Sequence, residues 1–161
     1  MRAGVLTVSD RVSRGEADDV SGRTLEELLL DDGFEVVRRL VPDERAEIAS
    51  AITDLAEETA LVLTTGGTGL AGRDVTPEAT RSVLEREAPG IAEAIRVDSI
   101  AKTPHGLLMR GLAGTIGHTL IVNLAGSPGA CRDGYAVLRP ALPHALELLA
   151  DQATATDHVH T

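Results

Sequence analysis

The segment Leu61-Val62-Leu63-Thr64-Thr65, followed at once by Gly66-Gly67-Thr68-Gly69, constrains this chain more than any other stretch. A short apolar run with β-branched residues, bounded by glycine, reads as a buried strand. It empties into glycines whose backbone N–H groups can approach an anion with no Cβ in the way. Beyond Arg73 and Asp74, Thr76-Pro77-Glu78 reads as a helix start. Thr76 is placed as N-cap, Pro77 at the first helical position and Glu78 in the positive first turn. Strand, glycine loop, Arg/Asp pair and helix N-terminus form a corner suited to phosphate. The alternative is a plain strand-to-helix turn, but a turn alone seldom needs three glycines and several threonines together. Ligand contact is the favoured reading.

Two nucleotide-binding patterns are excluded. Gly67-Thr68-Gly69-Leu70-Ala71-Gly72 formally fits G-x-G-x-x-G, yet that fingerprint opens a helix directly and carries an acidic residue about 20 positions later. Here the helix begins only at Thr76-Pro77, and the residues that far downstream read as helical. No G-x-x-x-x-G-K-[ST] occurs either.

Strand-like and helix-like segments alternate along the chain. Residues 4–9 form a first strand. Residues 21–32 form a helix with Leu25, Leu28 and Leu29 on one face and Gly33 closing it. Residues 34–41 return as a strand. Residues 43–58 form a helix carrying Ile48, Ala51, Ile52 and Leu55 on its buried stripe. After the strand 61–65 come a helix over 76–87, a Pro89-Gly90 break and a helical run over 91–100. Strands are expected over 107–112 and 118–124, then a loop at Ser127-Pro128-Gly129. A helix over 133–149, broken at Pro140 or Pro143, precedes a polar tail, 151–161, that frays. This order predicts an α/β fold: a three-layer α/β/α sandwich with a mostly parallel sheet, in one domain over 1–150. Ligands of such folds bind outside the carboxyl ends of the strands. Asp10, Asp43, Thr64–Gly69 and Asn123–Ser127 all fall there.

Composition narrows the partners. The 161 residues carry a formal net charge of −10, which disfavours nucleic acid and acidic membrane surfaces. An anionic substrate must therefore be met by local groups: backbone N–H, a few arginines and a divalent cation. Phe34 and Tyr135 are the only aromatic residues, so a ring ligand would lie mainly against peptide planes and aliphatic side chains. Apolar runs such as Leu120-Ile121-Val122 are far too short to span a bilayer. The first strand starts too early to leave room for a signal peptide, and the single cysteine, Cys131, gives no sign of an oxidising compartment. A cytoplasmic location is the default. His105, His118, His144, His158 and His160 show no zinc spacing, and Cys131 reads as a small buried residue.

The glycine loop and Arg73-Asp74-Val75-Thr76-Pro77-Glu78 occur with Val8-Ser9-Asp10-Arg11, Pro42-Asp43-Glu44 and Asn123-Leu124-Ala125-Gly126-Ser127-Pro128. In that order these motifs resemble the molybdopterin adenylyltransferase family of the MogA/MoaB type over nearly the whole chain. The resemblance implies the same fold and a role in molybdenum cofactor biosynthesis. The implied reaction is adenylylation of molybdopterin by Mg-ATP, giving adenylyl-molybdopterin and pyrophosphate. It assigns Asp43 and Asp74 as catalytic carboxylates and Mg²⁺ ligands. From the residues alone, Asp43 reads as a helix N-cap. Asp74 reads either as an acid placed near a helix N-terminus or as a metal ligand.

The expected substrate and nucleotide contacts are Ser9, Asp10, Thr65, Gly66, Gly67, Thr68, Gly69, Arg73, Thr76, Glu78, Arg110, Asn123, Gly126, Ser127 and Pro128. Arg73 reads equally well as the partner of a surface carboxylate. The resemblance further implies small-molecule partners only, and a homotrimer or hexamer, for which an aliphatic surface in 89–113 would supply the contact. Three positions depart from the family's usual pattern: Met109 replaces a serine, Ala125 a proline and Gly129 a lysine. A second reading, a non-catalytic molybdopterin-binding or scaffold protein, rests on those departures.

Overall fold

The computed structural model describes residues 1–157; residues 158–161 of the expected tail, with His158 and His160, lie outside the described residues. Six strands form one mixed sheet in the order β2-β1-β3-β6-β5-β4. Strands β1 (Arg2–Val8), β2 (Glu35–Val41), β3 (Leu61–Thr65) and β6 (Thr119–Leu124) run parallel. Strands β5 (Ala113–Ile116) and β4 (Arg86–Glu87) close the far edge antiparallel. The central strands are apolar on both sides because both sides are covered.

Alternation along each strand divides the core in two. Ala3, Val5, Leu61, Leu63, Leu120, Val122 and Leu124 join one layer, with Leu25 and Leu29 of α2 (Val20–Asp31). Ile95 of α5 (Pro89–Lys102), Tyr135 of α6 (Pro128–Leu138) and Leu146 of α7 (Leu142–Asp157) complete it. Leu6, Val8, Val62 and Ile121 face the other way. They pack on Ile48, Ile52 and Leu55 of α3 (Arg45–Glu58) and on Ala79 of α4 (Thr76–Val83). A short helix, α1 (Asp10–Ser13), follows β1 directly, with Ser9 capping it through Oγ. Gly33 takes φ +84° just after α2, as a helix-ending glycine does.

Several boundaries differ from expectation. The sheet keeps its parallel centre but adds the antiparallel β5–β4 edge. Residues 107–112 do not form a strand. Thr103 accepts the His105 N–H and Pro104 opens a 3₁₀ turn, Pro104–Leu108, so the apolar run is spent before β5 begins at Ala113. The helix from Thr76 ends at Val83, because the next residues extend into β4. Pro89 starts α5 instead of only breaking a helix. The C-terminal helix begins at Pro128, is interrupted by a 3₁₀ turn at Arg139–Ala141, and continues to Asp157. Residues 151–157 belong to α7.

Candidate active site

The crevice opens where β1 and β3 lie side by side, with β2 beyond one and β6 beyond the other. From β1 the chain moves out to β2 and then crosses back to β3, so the loops after β1 and β3 diverge and leave a gap between them. The gap is a cavity of about 420 Å³ lined by Ser9, Asp43, Gly66, Gly67, Asp74 and Gly126, among others. Gly66 has φ +99°, and a Cβ there would lie 2.2 Å from the Val8 carbonyl oxygen. Only glycine lets the β3 exit press against the end of β1.

Asp43 follows β2 but does not cap the helix after it. The N-cap position belongs to Glu44, which makes no capping hydrogen bond through its side chain. Instead Asp43 Oδ2 accepts the Asp10 N–H at 2.9 Å, and Asp10 Oδ1 accepts the Asp43 N–H at 3.0 Å. Burial pushes the Asp43 carboxyl above its ordinary value, against the Asp10 hydrogen bond, and the charges of Asp10 and Asp74 push the same way. Asp10 is held below the ordinary range, first by its hydrogen bond from Arg73. Asp74 carries its carboxylate beside Gly69, where Oδ2 accepts the Ala71 N–H at 3.1 Å.

Both arginines expected on phosphate are engaged with the protein. Arg73 donates to Asp10 through Nε at 2.6 Å and Nη2 at 3.2 Å, and to Glu44 at 2.8 Å. This is its carboxylate-pairing alternative. Arg110 donates to the carbonyls of Gly69 and Asp74, each at 2.8 Å, and pairs with Glu78. Its own N–H donates to the Thr68 carbonyl at 2.9 Å. The segment before β5 thus pins the glycine loop at Thr68 and Gly69 and ties it to Asp74 and α4, and Arg110 holds Glu78 below its ordinary pKa.

Thr76 is the first residue of α4 and not its N-cap; its hydroxyl donates to the Gly66 carbonyl at 2.9 Å. Thr65 Oγ1 donates to the Ala125 carbonyl at 2.9 Å and lies 3.3 Å from Cys131 Sγ. Ala125 therefore acts through its backbone, which the departure from proline leaves intact. Ser127 caps α6 by accepting the Ala130 N–H. Ser9, Gly66, Gly67, Gly126 and Pro128 line the crevice, whereas Ser127, Met109, Gly129 and Lys102 line a separate cavity of about 270 Å³.

Asn123 is turned into the protein. It is 1% exposed, with Nδ2 donating to Thr64 Oγ1 and Thr80 Oγ1 and Oδ1 accepting the Leu112 N–H, all at 3.0 Å. Its place in the Asn-Leu-x-Gly-Ser-Pro run suggested a pocket residue; its side chain is a joint between β3, β6, α4 and the segment before β5. The reading from sequence also missed Asp18, Val20 and Ser21, which line the crevice from the start of α2. Asp19 signals that start by capping α2 at Gly22.

This geometry defines an α/β sandwich whose carboxyl edge brings a glycine loop and the carboxylates of Asp43 and Asp74 to one crevice. Residues 4–144 match the family described as "Probable molybdopterin binding domain", and the chain belongs to that family. A protein of Helicobacter pylori strain J99 named molybdopterin adenylyltransferase is 38% identical over 151 residues, covering 91% of this chain and 86% of its own. The Drosophila melanogaster molybdenum cofactor synthesis protein cinnamon is 40% identical over 161 residues, and the match spans 27% of that longer protein. Among solved structures, the molybdopterin biosynthesis enzyme MoaB of Thermus thermophilus superposes with TM-score 0.85 at 48% identity, covering 92% of this chain and 95% of its own.

Proposed function

We propose that this chain is a molybdopterin adenylyltransferase acting in molybdenum cofactor biosynthesis. The observation that carries the reading is the convergence of Asp43, from the end of β2, and Asp74, from the loop after β3, on one glycine turn. A terminal phosphate oxygen of molybdopterin attacks the α-phosphorus of ATP. A new P–O bond forms, the bond from the α-phosphorus to the bridging oxygen breaks, and pyrophosphate leaves with the electron pair. Such a reaction needs alignment and charge neutralisation more than proton transfer.

The residues present fit Mg²⁺: two carboxylates beside a phosphate loop are the set this ion uses together with phosphate oxygens and water. Among the described residues, no donor reaches Asp43 Oδ1; burial chiefly raises its pKa, and the charges of Asp10 and Asp74, which add to the rise, are the kind a cation relieves. Bound there by Asp43 and Asp74, Mg²⁺ would neutralise phosphate charge and polarise the α-phosphorus. The N–H groups of Gly67, Thr68 and Gly69 orient the phosphates, while that of Gly66 is given to the Leu124 carbonyl, and the crevice walls around Ser9, Gly126 and Pro128 set the approach of the second substrate.

Pyrophosphate release from ATP, with molybdopterin and Mg²⁺, compared between wild type and Asp74→Asn, tests the proposal. Release that needs the pterin and disappears in the variant supports it. Pterin binding with no release selects the non-catalytic binding protein instead. The same reading implies a cytoplasmic protein that assembles as a trimer or hexamer, and analytical ultracentrifugation checks the assembly. Val97, Ile100, Leu107 and Leu108 are exposed apolar residues within the 89–113 surface expected to make the contact. No helix among the described residues is long and apolar enough to cross a membrane.

A further inference from the structure

We infer that Asp10, clamped by Arg73, is a positioning residue that fixes the Asp43 carboxylate against the glycine loop, an inference that rests on the function proposed above. Both residues were expected on the substrate, but their hydrogen-bonding capacity goes to the protein. Asp10 Oδ1 accepts from the Asp43 amide and from Arg73 Nη2, while Oδ2 accepts from Arg73 Nε. In return the Asp10 N–H holds Asp43 Oδ2, which leaves Oδ1 aimed at Gly67.

Charge explains why the clamp is needed. Asp10, Asp43, Glu44 and Asp74 crowd one corner, and like charges at this range repel. Arg73 is the cation bonded to two of them, Asp10 and Glu44, and it is the chain neighbour of a third, Asp74. One guanidinium fork therefore ties the loop bearing Asp74 to the strand end that grips Asp43. The spacing of the two carboxylates becomes a property of the Asp10–Arg73 pair. The Asp10 side chain is 19% exposed against 59% for Arg73, so the carboxylate is the fixed member and the guanidinium the brace laid over it.

Asp10→Ala removes the acceptor for the Asp43 amide and the anchor for Arg73, leaving the Asp10 N–H as the one bond between the two aspartates, Asp10→Asn keeps an acceptor for the Asp43 amide but loses the fork, and Arg73→Gln removes only the brace. Steady-state rates with ATP and molybdopterin, calorimetric titration of Mn²⁺ in the presence of α,β-methylene-ATP, and a crystal structure of Asp10→Ala form the test. We expect kcat to fall about 10- to 100-fold in Asp10→Ala, the scale of a misplaced reacting group, with the KM for ATP within about threefold of wild type. Mn²⁺ should bind about tenfold more weakly, and the Asp43 carboxylate should turn away from Gly67. The double variant Asp10→Asn/Arg73→Gln should be no worse than its more damaging single, because the two act as one unit.

A raised KM for ATP with unchanged kcat in Arg73→Gln would assign that arginine to phosphate and overturn the inference. Additive losses, or an Asp43 carboxylate unmoved in Asp10→Ala, would overturn it too. If wild type releases no pyrophosphate, the proposed function fails. The Asp43 geometry and the Mn²⁺ titration still decide the positioning role.

Discussion

Gly67 and Asp43 are packed so closely that a single Cβ on the glycine would lie 3.1 Å from Asp43 Oδ1 and 2.4 Å from Thr76 Oγ1. Gly67 also sits at φ +68°, where side chains other than hydrogen are strained. The loop therefore comes within contact distance of the carboxylate only because its second residue is glycine.

Gly67→Ala should cost about 1–2 kcal/mol from backbone strain alone and should also displace Asp43 or Thr76. Urea denaturation and nucleotide binding measured on the same variant check both effects. Gly72→Ala is the control, since nothing lies within 4 Å of its Cβ position. It should bind nucleotide as wild type does.

Asp43→Asn should lose turnover and gain stability. The folded pKa of Asp43 is raised, so the ionised carboxylate subtracts stability at neutral pH, and that penalty fades as the pH falls into the carboxylate range. Melting curves should place the variant above wild type at pH 7, with the gap closing toward about pH 4. A variant that melts below wild type at pH 7 would contradict the sign.

Asn123→Ala should behave as a stability variant and not as a binding variant. It leaves buried groups on Thr64 and before β5 without their partner, at a cost of about 2–4 kcal/mol. At a temperature where the variant stays folded, its KM for ATP should match wild type. A large rise in KM with unchanged stability would return Asn123 to the pocket.

Tyr135→Phe removes the hydroxyl that donates to Asp32 Oδ2 at 2.6 Å, joining α6 to the end of α2. A loss of about 1–2 kcal/mol is expected near neutral pH. Asp32 is held below its ordinary pKa first by that hydrogen bond, so the contribution is complete above the usual carboxylate range. It is lost only as the pH falls through the lowered folded value. Denaturation from pH 7 to 4 should show a constant gap between the two proteins, narrowing under more acidic conditions.

What could be read from the sequence follows the range of each interaction. The strands β1, β3 and β6 were legible because burial on both faces writes an unbroken apolar run. Strand β4 was not, since Arg86 and Glu87 are exposed and carry no such pattern. The 107–112 stretch misled because apolar residues mark burial or packing without fixing backbone conformation. At the site, the glycine loop and its neighbours fell where strand ends were expected. Which atoms Asp10, Asp43, Arg73 and Arg110 would touch was beyond reach, because their partners lie 29 to 63 positions away. An N-cap reading of Asp43 is what local spacing offers when the true partner comes from another strand.

The two outer strands of the sheet have a colloidal consequence. β4 is only two residues long and charged, and β2 carries Arg38 and Arg39 tied to Asp19, Glu26 and Glu58. The β4 rim is too short to template a second sheet, and the seven-residue β2 rim is interrupted by its paired arginines, devices by which β proteins avoid edge-to-edge fibres. Self-association by lengthening the sheet is disfavoured at both ends.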